Sequence, residues 1–185
     1  MIFAKKQDFE KVKEIFYKHK KWFPHVRTDY MMRMIERKQL ILEDGILITF
    51  HKAKRRQKIG DVLLGPGDTV LHQIASDSPG SGNAQSILNN FFDYCKPGCV
   101  FLSVRADNLT ANKFYVKMNM NLIGTTSWAK NTIPGFVYVK GDYDKNKYII
   151  KKKKKKKIKK KKKKKKKKSK KKNLRKKNVK RKRSN

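Results

Sequence analysis

Residues 101–124, FLSVRADNLTANKFYVKMNMNLIG, decide the fold. The mostly apolar run 100–106 reads as a strand, and Asn108 stands where a helix cap belongs. Ala111, Phe114, Tyr115 and Met118 then recur at helical spacing over 109–118, and a new extended run begins at Asn121. Asn108 and Tyr115 are seven residues apart, nearly two helical turns, so they share one helix face. Asn119 falls where a helix end wants a left-handed residue, and asparagine is next best there after glycine.

Immediately upstream, residues 71–94 read LHQIASDSPGSGNAQSILNNFFDY. They supply a strand over 70–76, a loop containing Gly80 and Gly82, and the clearest helix of the chain over 83–95. Ala84, Ile87, Leu88, Phe91, Phe92 and Cys95 form one stripe on that helix, and Pro97-Gly98 ends it. Strand, helix and strand make a βαβ unit, so the two strands are expected to be parallel with a right-handed crossover. A glycine loop opening into a helix N-terminus turns bare backbone N–H groups toward an anion and can hold a pyrophosphate. The same residues also suit an ordinary surface turn.

Toward the N-terminus, Phe9, Val12, Ile15 and Phe16 give an amphipathic helix over 8–19. Thr28-Asp29 cap a second helix carrying Tyr30, Met31, Met34 and Ile35. Extended runs 39–43 and 46–51 meet at Asp44-Gly45, a tight-hairpin dipeptide. Residues 52–58 are polar and basic, and 59–64 can continue a strand. At the other end, 121–129 and 135–140 form a closing antiparallel pair. The expected architecture is α/β (α+β): a mixed, mostly antiparallel sheet with a central parallel strand pair flanked by helices, plus a disordered C-terminal tail. The domain is placed at 1–148 and the tail at 149–185.

The formal charge of +37 is uneven. Residues 151–185 hold 27 of the 51 basic residues and none of the 14 acidic ones, so the body, with 24 basic and 14 acidic residues, stands at +10. No run approaches the roughly 18 apolar residues of a membrane span, and the N-terminus lacks the layout of a secretory signal, so a cytoplasmic protein is the default. Cys95 and Cys99 flank a Lys-Pro-Gly turn and read as buried small side chains rather than a disulfide framework. His19, His25, His51 and His72 are scattered, with no ligand spacing between them, and no metal is expected.

The order helix, helix, hairpin, strand-loop-helix, strand-helix, hairpin resembles the GNAT superfamily of N-acetyltransferases over residues 1 to about 140. That family's loop pattern, Gln/Arg-x-x-Gly-x-Gly/Ala, is matched at Gly80 and Gly82, with Asp77 in place of Gln/Arg as an anion beside the loop. Its N-x-x-A-x-x-F-Y-x-K-x-G-F segment is matched at Asn108, Ala111, Phe114, Tyr115 and Lys117, with Asn119-Met120 replacing Gly-Phe. The resemblance implies acetyl-coenzyme A as co-substrate, an amine acceptor and direct transfer in a ternary complex. It implies the pyrophosphate on Gly80, Ser81, Gly82, Asn83 and Ala84, a backbone N–H near Ile74 as donor to the oxyanion, the pantetheine arm against backbone groups of Ala75 and Ser76, Asn108 beside the coenzyme, and Tyr115 as the acid that protonates the thiolate. Relatives often carry a glutamate base on the same strand as Ile74; none is present here, and His72 is the candidate. Trp22, Phe23, His25, Tyr30, Trp128 and Lys130 are the candidate acceptor-pocket residues. The compact domain looks most like small acyltransferase-like proteins of bacteriophages or bacteria.

The tail has only Ile158, Leu174 and Val179 as apolar residues and is expected to be disordered. It would bind nucleic acid or another polyanion by counterion release, and KKNLRKKNVKRKR would serve as a nuclear signal in a eukaryotic host. A slipped adenine tract is the equally weighted origin. The competing functional reading is a catalytically degenerate protein of this fold that binds nucleic acid through its basic body and tail.

Overall fold

The computed structural model describes residues 1–144, so the expected tail and the boundary at 148 lie outside the described residues. A six-stranded sheet runs in the order β1-β2-β5-β6-β8-β7, where β1 is Leu40–Glu43, β2 Ile46–Lys52, β5 Thr69–Ser76, β6 Val100–Arg105, β7 Asn121–Trp128 and β8 Ile133–Lys140. Only β5 and β6 are parallel, as the βαβ reading requires. A separate hairpin of β3 (Gln57–Ile59) and β4 (Val62–Leu64) replaces the single strand expected at 59–64. Gly60 turns the chain there at φ 56°, a conformation that glycine adopts without strain. Asp44-Gly45, at φ 47° and 73°, makes the expected tight turn between β1 and β2.

One face of the sheet is covered by α3 (Asn83–Cys95) and α4 (Leu109–Lys117). The α3 stripe of Ile87, Leu88, Phe91, Phe92 and Cys95 packs in one buried cluster with Ile48, Phe50, Leu71, Leu102 and Val104. Each of its large apolar side chains contributes roughly 1.5–3 kcal/mol relative to exposure. On the opposite face, α1 (Phe9–Lys18) and α2 (Thr28–Glu36) bury Val12, Ile15, Phe16, Met31, Met34 and Ile35 against Leu40, Leu47 and Ala75. The β3–β4 hairpin covers the rest of that face, with Val62 and Leu64 against Val70, Phe101, Val137 and Val139. The cleft described below lies between these two covers. Cys95 and Cys99 are both buried, as their spacing around the turn implied.

Candidate active site

The cleft begins where the central parallel pair comes apart. β5 and β6 are in register only at Thr69–Val100, Val70–Phe101 and Leu71–Leu102. Beyond that, β5 stays with β2 as far as Ser76 and β6 stays with β8 as far as Arg105, which leaves a gap between their facing edges. A bulge sits at the point of parting: Phe50 lies opposite Leu71 and Thr49 opposite Gln73, so His72 has no counterpart on β2. Such an extra residue bends its strand and re-aims the side chains around it. Further on, the Asp77 N–H donates to the Gly45 carbonyl at 2.8 Å, on the β2 side. Hydrogen-bonding direction alternates along a regular antiparallel strand, so the backbone groups of Ile74 and Ser76 face the gap and those of Ala75 face β2. The Ser76 carbonyl accepts from His19 Nε2 at 2.7 Å.

At the end of β5 the chain enters loop 77–82. Gly80 and Gly82 hold φ of 94° and 84°, and a Cβ on either would meet only open space. Their constraint is therefore conformational, and the loop backbone is bare. Gly82 caps α3 with no side-chain hydrogen bond, and no acidic residue occupies the first turn. The N–H groups of that turn keep their capacity for an anion. Gly80, Ser81, Gly82 and Ala84 line the cleft; Asn83 opens the helix beside them.

Asp77, expected as an adverse charge beside this loop, is held by α1. Its carboxylate pairs with Lys11 Nζ at 2.6 Å and with Lys18 Nζ, while Glu14 takes both lysines from the other side. The hydrogen bonds from Lys11 and then Lys18 hold its pKa down to about 2. A depressed carboxylate stabilises the fold above its unfolded value near 3.8 and loses that contribution as pH falls toward 2. The Asp77→Asn variant is therefore expected to melt below wild type at pH 5 to 7, with the difference gone near pH 2. Its acetyl-coenzyme A affinity should change by less than about threefold, as calorimetry would show, because the charge it removes is already paired.

On α4, the Asn108 side chain accepts from the Ala111 N–H at 3.2 Å, a cap at the helix start. Asn108 and Tyr115 both line the cleft, as their spacing required. Tyr115 is 6% exposed, with ring centroids 5.7 Å from Phe114 and 5.9 Å from Tyr138. Burial pushes its phenol well above the ordinary value, so it is a protonated donor throughout the neutral range. Asn119 follows the helix at φ 54°, the left-handed position read from the sequence.

All four histidines of the chain line this cleft, although nothing in their spacing brought them together. His51 Nδ1 is 2.6 Å from His72 Nε2, the rings stack at 4.8 Å and 22°, and Gln57 Nε2 is 2.8 Å from His51 Nε2. His72 opens onto the cleft yet has protein around most of its ring. That burial, then His51 and His25, pushes its pKa down to about 4. None of the described residues lining the cleft is an aspartate or a glutamate.

At the far end, Trp22, Phe23, His25 and Trp128 line the cleft as expected. Tyr30 and Lys130 do not. The Tyr30 hydroxyl donates to Gln73 Oε1 at 3.0 Å, an oxygen shared with the Thr49 hydroxyl, and Lys130 lies in the turn between β7 and β8. Gln73, 7% exposed, needs those two donors because a buried amide without partners is costly. The sequence reading missed His51, Gln57 and Arg105, which hydrogen-bonds Asp107 through two nitrogens at 2.9 and 2.5 Å beneath the Trp22 ring. The whole cleft measures about 980 Å³, at the upper end of the roughly 300–1,000 Å³ of ligand sites.

A mixed sheet whose one parallel pair splays open, with a glycine loop and helix N-terminus at the end of the splay, defines the fold of the GNAT-superfamily N-acetyltransferases. Among solved structures the chain is similar to Ard1 from Thermoplasma volcanium, at 13% identity and TM-score 0.60 over 77% of this chain and 96% of that one. It is similar to Arabidopsis thaliana NAA60 in complex with acetyl-CoA, at 15% identity and TM-score 0.55 over 75% and 95%. It is also similar to a GNAT-family acetyltransferase from Bacillus cereus, at 15% identity and TM-score 0.58 over 77% and 96%. No protein-family model and no curated protein sequence matches the chain. Among the described residues there is no cluster of three metal-ligating side chains, and no helix is long and apolar enough to cross a membrane.

Proposed function

We propose that this protein moves an acetyl group from acetyl-coenzyme A to an amine by direct attack within a ternary complex. The observation that carries the reading is the gap between β5 and β6, whose unpaired β5 edge runs straight into the bare loop and first turn of α3. An extended pantetheine arm fits such an edge by adding hydrogen bonds to Ile74 and Ser76, and a pyrophosphate fits Gly80, Ser81, Gly82 and the N–H groups of Asn83 and Ala84. The Ala75 backbone, turned to β2, serves the strand rather than the ligand. Asn108 shapes the α4 wall opposite.

When bound, acetyl-coenzyme A supplies a thioester, an activated acetyl group on a thiol leaving group. The Ile74 N–H, facing the gap, donates to the acetyl oxygen as it gains negative charge. His72 takes the proton lost by the amine as nitrogen bonds to the acetyl carbon. Tyr115 delivers its phenolic proton to the departing sulfur. The aromatic end of the cleft, with Trp22, Phe23 and Trp128, receives the acceptor. The nucleic-acid reading drew support from Asp77 and from the missing glutamate, and the lysine pairing of Asp77 and the presence of His72 weaken both supports.

Thermal unfolding of the full chain at moderate salt, with acetyl-coenzyme A and with ATP as a control for anion binding, tests the proposal. At a hundredfold excess over Kd a specific ligand stabilises by about 2.7 kcal/mol, which raises Tm by several degrees. A shift with acetyl-coenzyme A well beyond that with ATP is expected. Equal shifts, or none, would remove the cofactor site.

A further inference from the structure

His72 does not stand alone, and the direction of the hydrogen bonds behind it decides what it can do. As placed, the Gln57 amide N–H donates to His51 Nε2, so a neutral His51 carries its proton on Nδ1 and donates it to His72 Nε2. The His72 proton is then on Nδ1, and His72 meets the cleft as a donor with no lone pair to offer. A half-turn of the Gln57 amide reverses every bond. Its oxygen accepts from His51 Nε2–H, His51 Nδ1 accepts from His72 Nε2–H, and His72 Nδ1 is left with a free lone pair.

We propose that Gln57 and His51 are positioning residues that switch His72 between hydrogen-bond donor and general base, the base form being the one in which the Gln57 amide oxygen faces His51. This rests on the acetyl-transfer reading and deepens it. In the base form, His72 Nδ1 takes the proton that leaves the acceptor amine. The resulting imidazolium donates from Nε2 to His51, and its charge is shared along the chain to the amide oxygen. No covalent bond to the histidines forms, and the proton is returned to solvent when product leaves.

Three further observations support the assignment. His72 is the extra residue of the bulge, where the strand's side chains are re-aimed at the point of parting. Its Nδ1 has no other hydrogen-bond partner among the described residues. Among the described residues no carboxylate lines the cleft to compete for the role. The charged and titratable side chains that line it with His72 are His51 from β2, His25 from the segment before α2, His19 beyond α1, Lys58 from β3, Arg105 from β6, and Tyr115 and Lys117 from α4, and of these His51 and His25 act on His72 directly. In this setting without carboxylates a neutral, reversible partner such as Gln57 behind His51 leaves His72 uncharged at rest, and burial, then His51 and His25, hold its pKa down to about 4.

The test is nitrogen-15 NMR of the imidazoles in the full-length protein, which reports tautomer and titration without any acceptor. A carboxylate only accepts, so Gln57→Glu is expected to fix both His51 and His72 in the Nε2–H form and to raise the His72 pKa by about one unit or more. In parallel, coenzyme A release from acetyl-coenzyme A is followed with hydrazine as the acceptor. Because a base must be neutral to act, the acid limb of kcat/KM should move to higher pH in Gln57→Glu, and His51→Leu should lose about tenfold or more in kcat while keeping the acetyl-coenzyme A melting shift. Unchanged tautomers and titration in Gln57→Glu would overturn the proposal. So would a wild-type rate in a His51→Leu protein that still binds acetyl-coenzyme A. If His51→Leu does not fold, Gln57→Glu decides alone. Absence of any specific acetyl-coenzyme A stabilisation in wild type would overturn the underlying transfer reading and this assignment with it, an outcome read separately from the imidazole spectra.

Discussion

Tyr115→Phe is expected to lower kcat by tenfold or more while leaving the acetyl-coenzyme A melting shift intact. The substitution removes one oxygen and keeps the ring, so the contacts with Phe114 and Tyr138 persist and the α4 core face stays filled. What is lost is the proton for the departing sulfur, and positioned acids of this kind contribute typically about 10²–10⁴-fold. The pH profile sharpens the test. Burial raises the Tyr115 phenol above its ordinary value near 10, so wild-type turnover should show no basic limb from Tyr115 below about pH 10. A fall in kcat without a rise in KM marks an interaction made in the transition state. Unchanged turnover would leave Tyr115 as a packing residue and move the acid to another group.

Gly60→Ala is expected to cost on the order of 3 kcal/mol, combining roughly 1–2 kcal/mol for a left-handed alanine with roughly 1–3 kcal/mol for overpacking. Gly60 turns β3 into β4 directly on top of β7. A Cβ there would run into the Thr125 carbonyl and come within 2.8 Å of Thr126 Cβ. The hairpin would have to lift, breaking the pairs from Asp61 to the Thr125 backbone. Calorimetry should show a Tm fall of about 10 °C. Lifting β3 also draws Gln57 off His51, so the variant is expected to lose the imidazole coupling even at temperatures where it is folded. A melting point within 2 °C of wild type would show that the hairpin tolerates the move.

The parts of this molecule legible in its sequence are those whose partners are close along the chain. Asn108 and Tyr115 are joined by helical repeat, Gly80 and Gly82 by the needs of one short loop, and Asp44 with Gly45 by one turn. The parallel pairing of β5 and β6 followed because a strand-helix-strand unit joins parallel strands. What was not legible depends on strand register. His51 meets His72 because of how β2 pairs with β5 and because one residue of β5 is extra, and neither fact has a local signature. Asp77 looked adverse because its two lysines lie 66 and 59 residues away on α1. Tyr30 was misplaced for a related reason: its hydroxyl is spent on Gln73, a buried amide whose need for donors shows only once the sheet is assembled. The break of 59–64 at Gly60-Asp61 was readable in hindsight, since Gly-Asp is turn chemistry.

The single unpaired residue in β5 bears on how this chain can change over time. Leu71 faces α3, while Gln73 and Ala75 face α1 and α2, and that phase shift exists only because His72 is there. A point substitution at 72 leaves the phase alone. Deletion of the codon would set Leu71 directly before Gln73 in plain alternation, with Phe50 and Thr49 still opposite them, so the bulge would go and the later side chains would keep their faces. Descendants of this gene can therefore exchange the histidine, or lose it outright, and keep both halves of the interior, so packing alone places no demand on this residue.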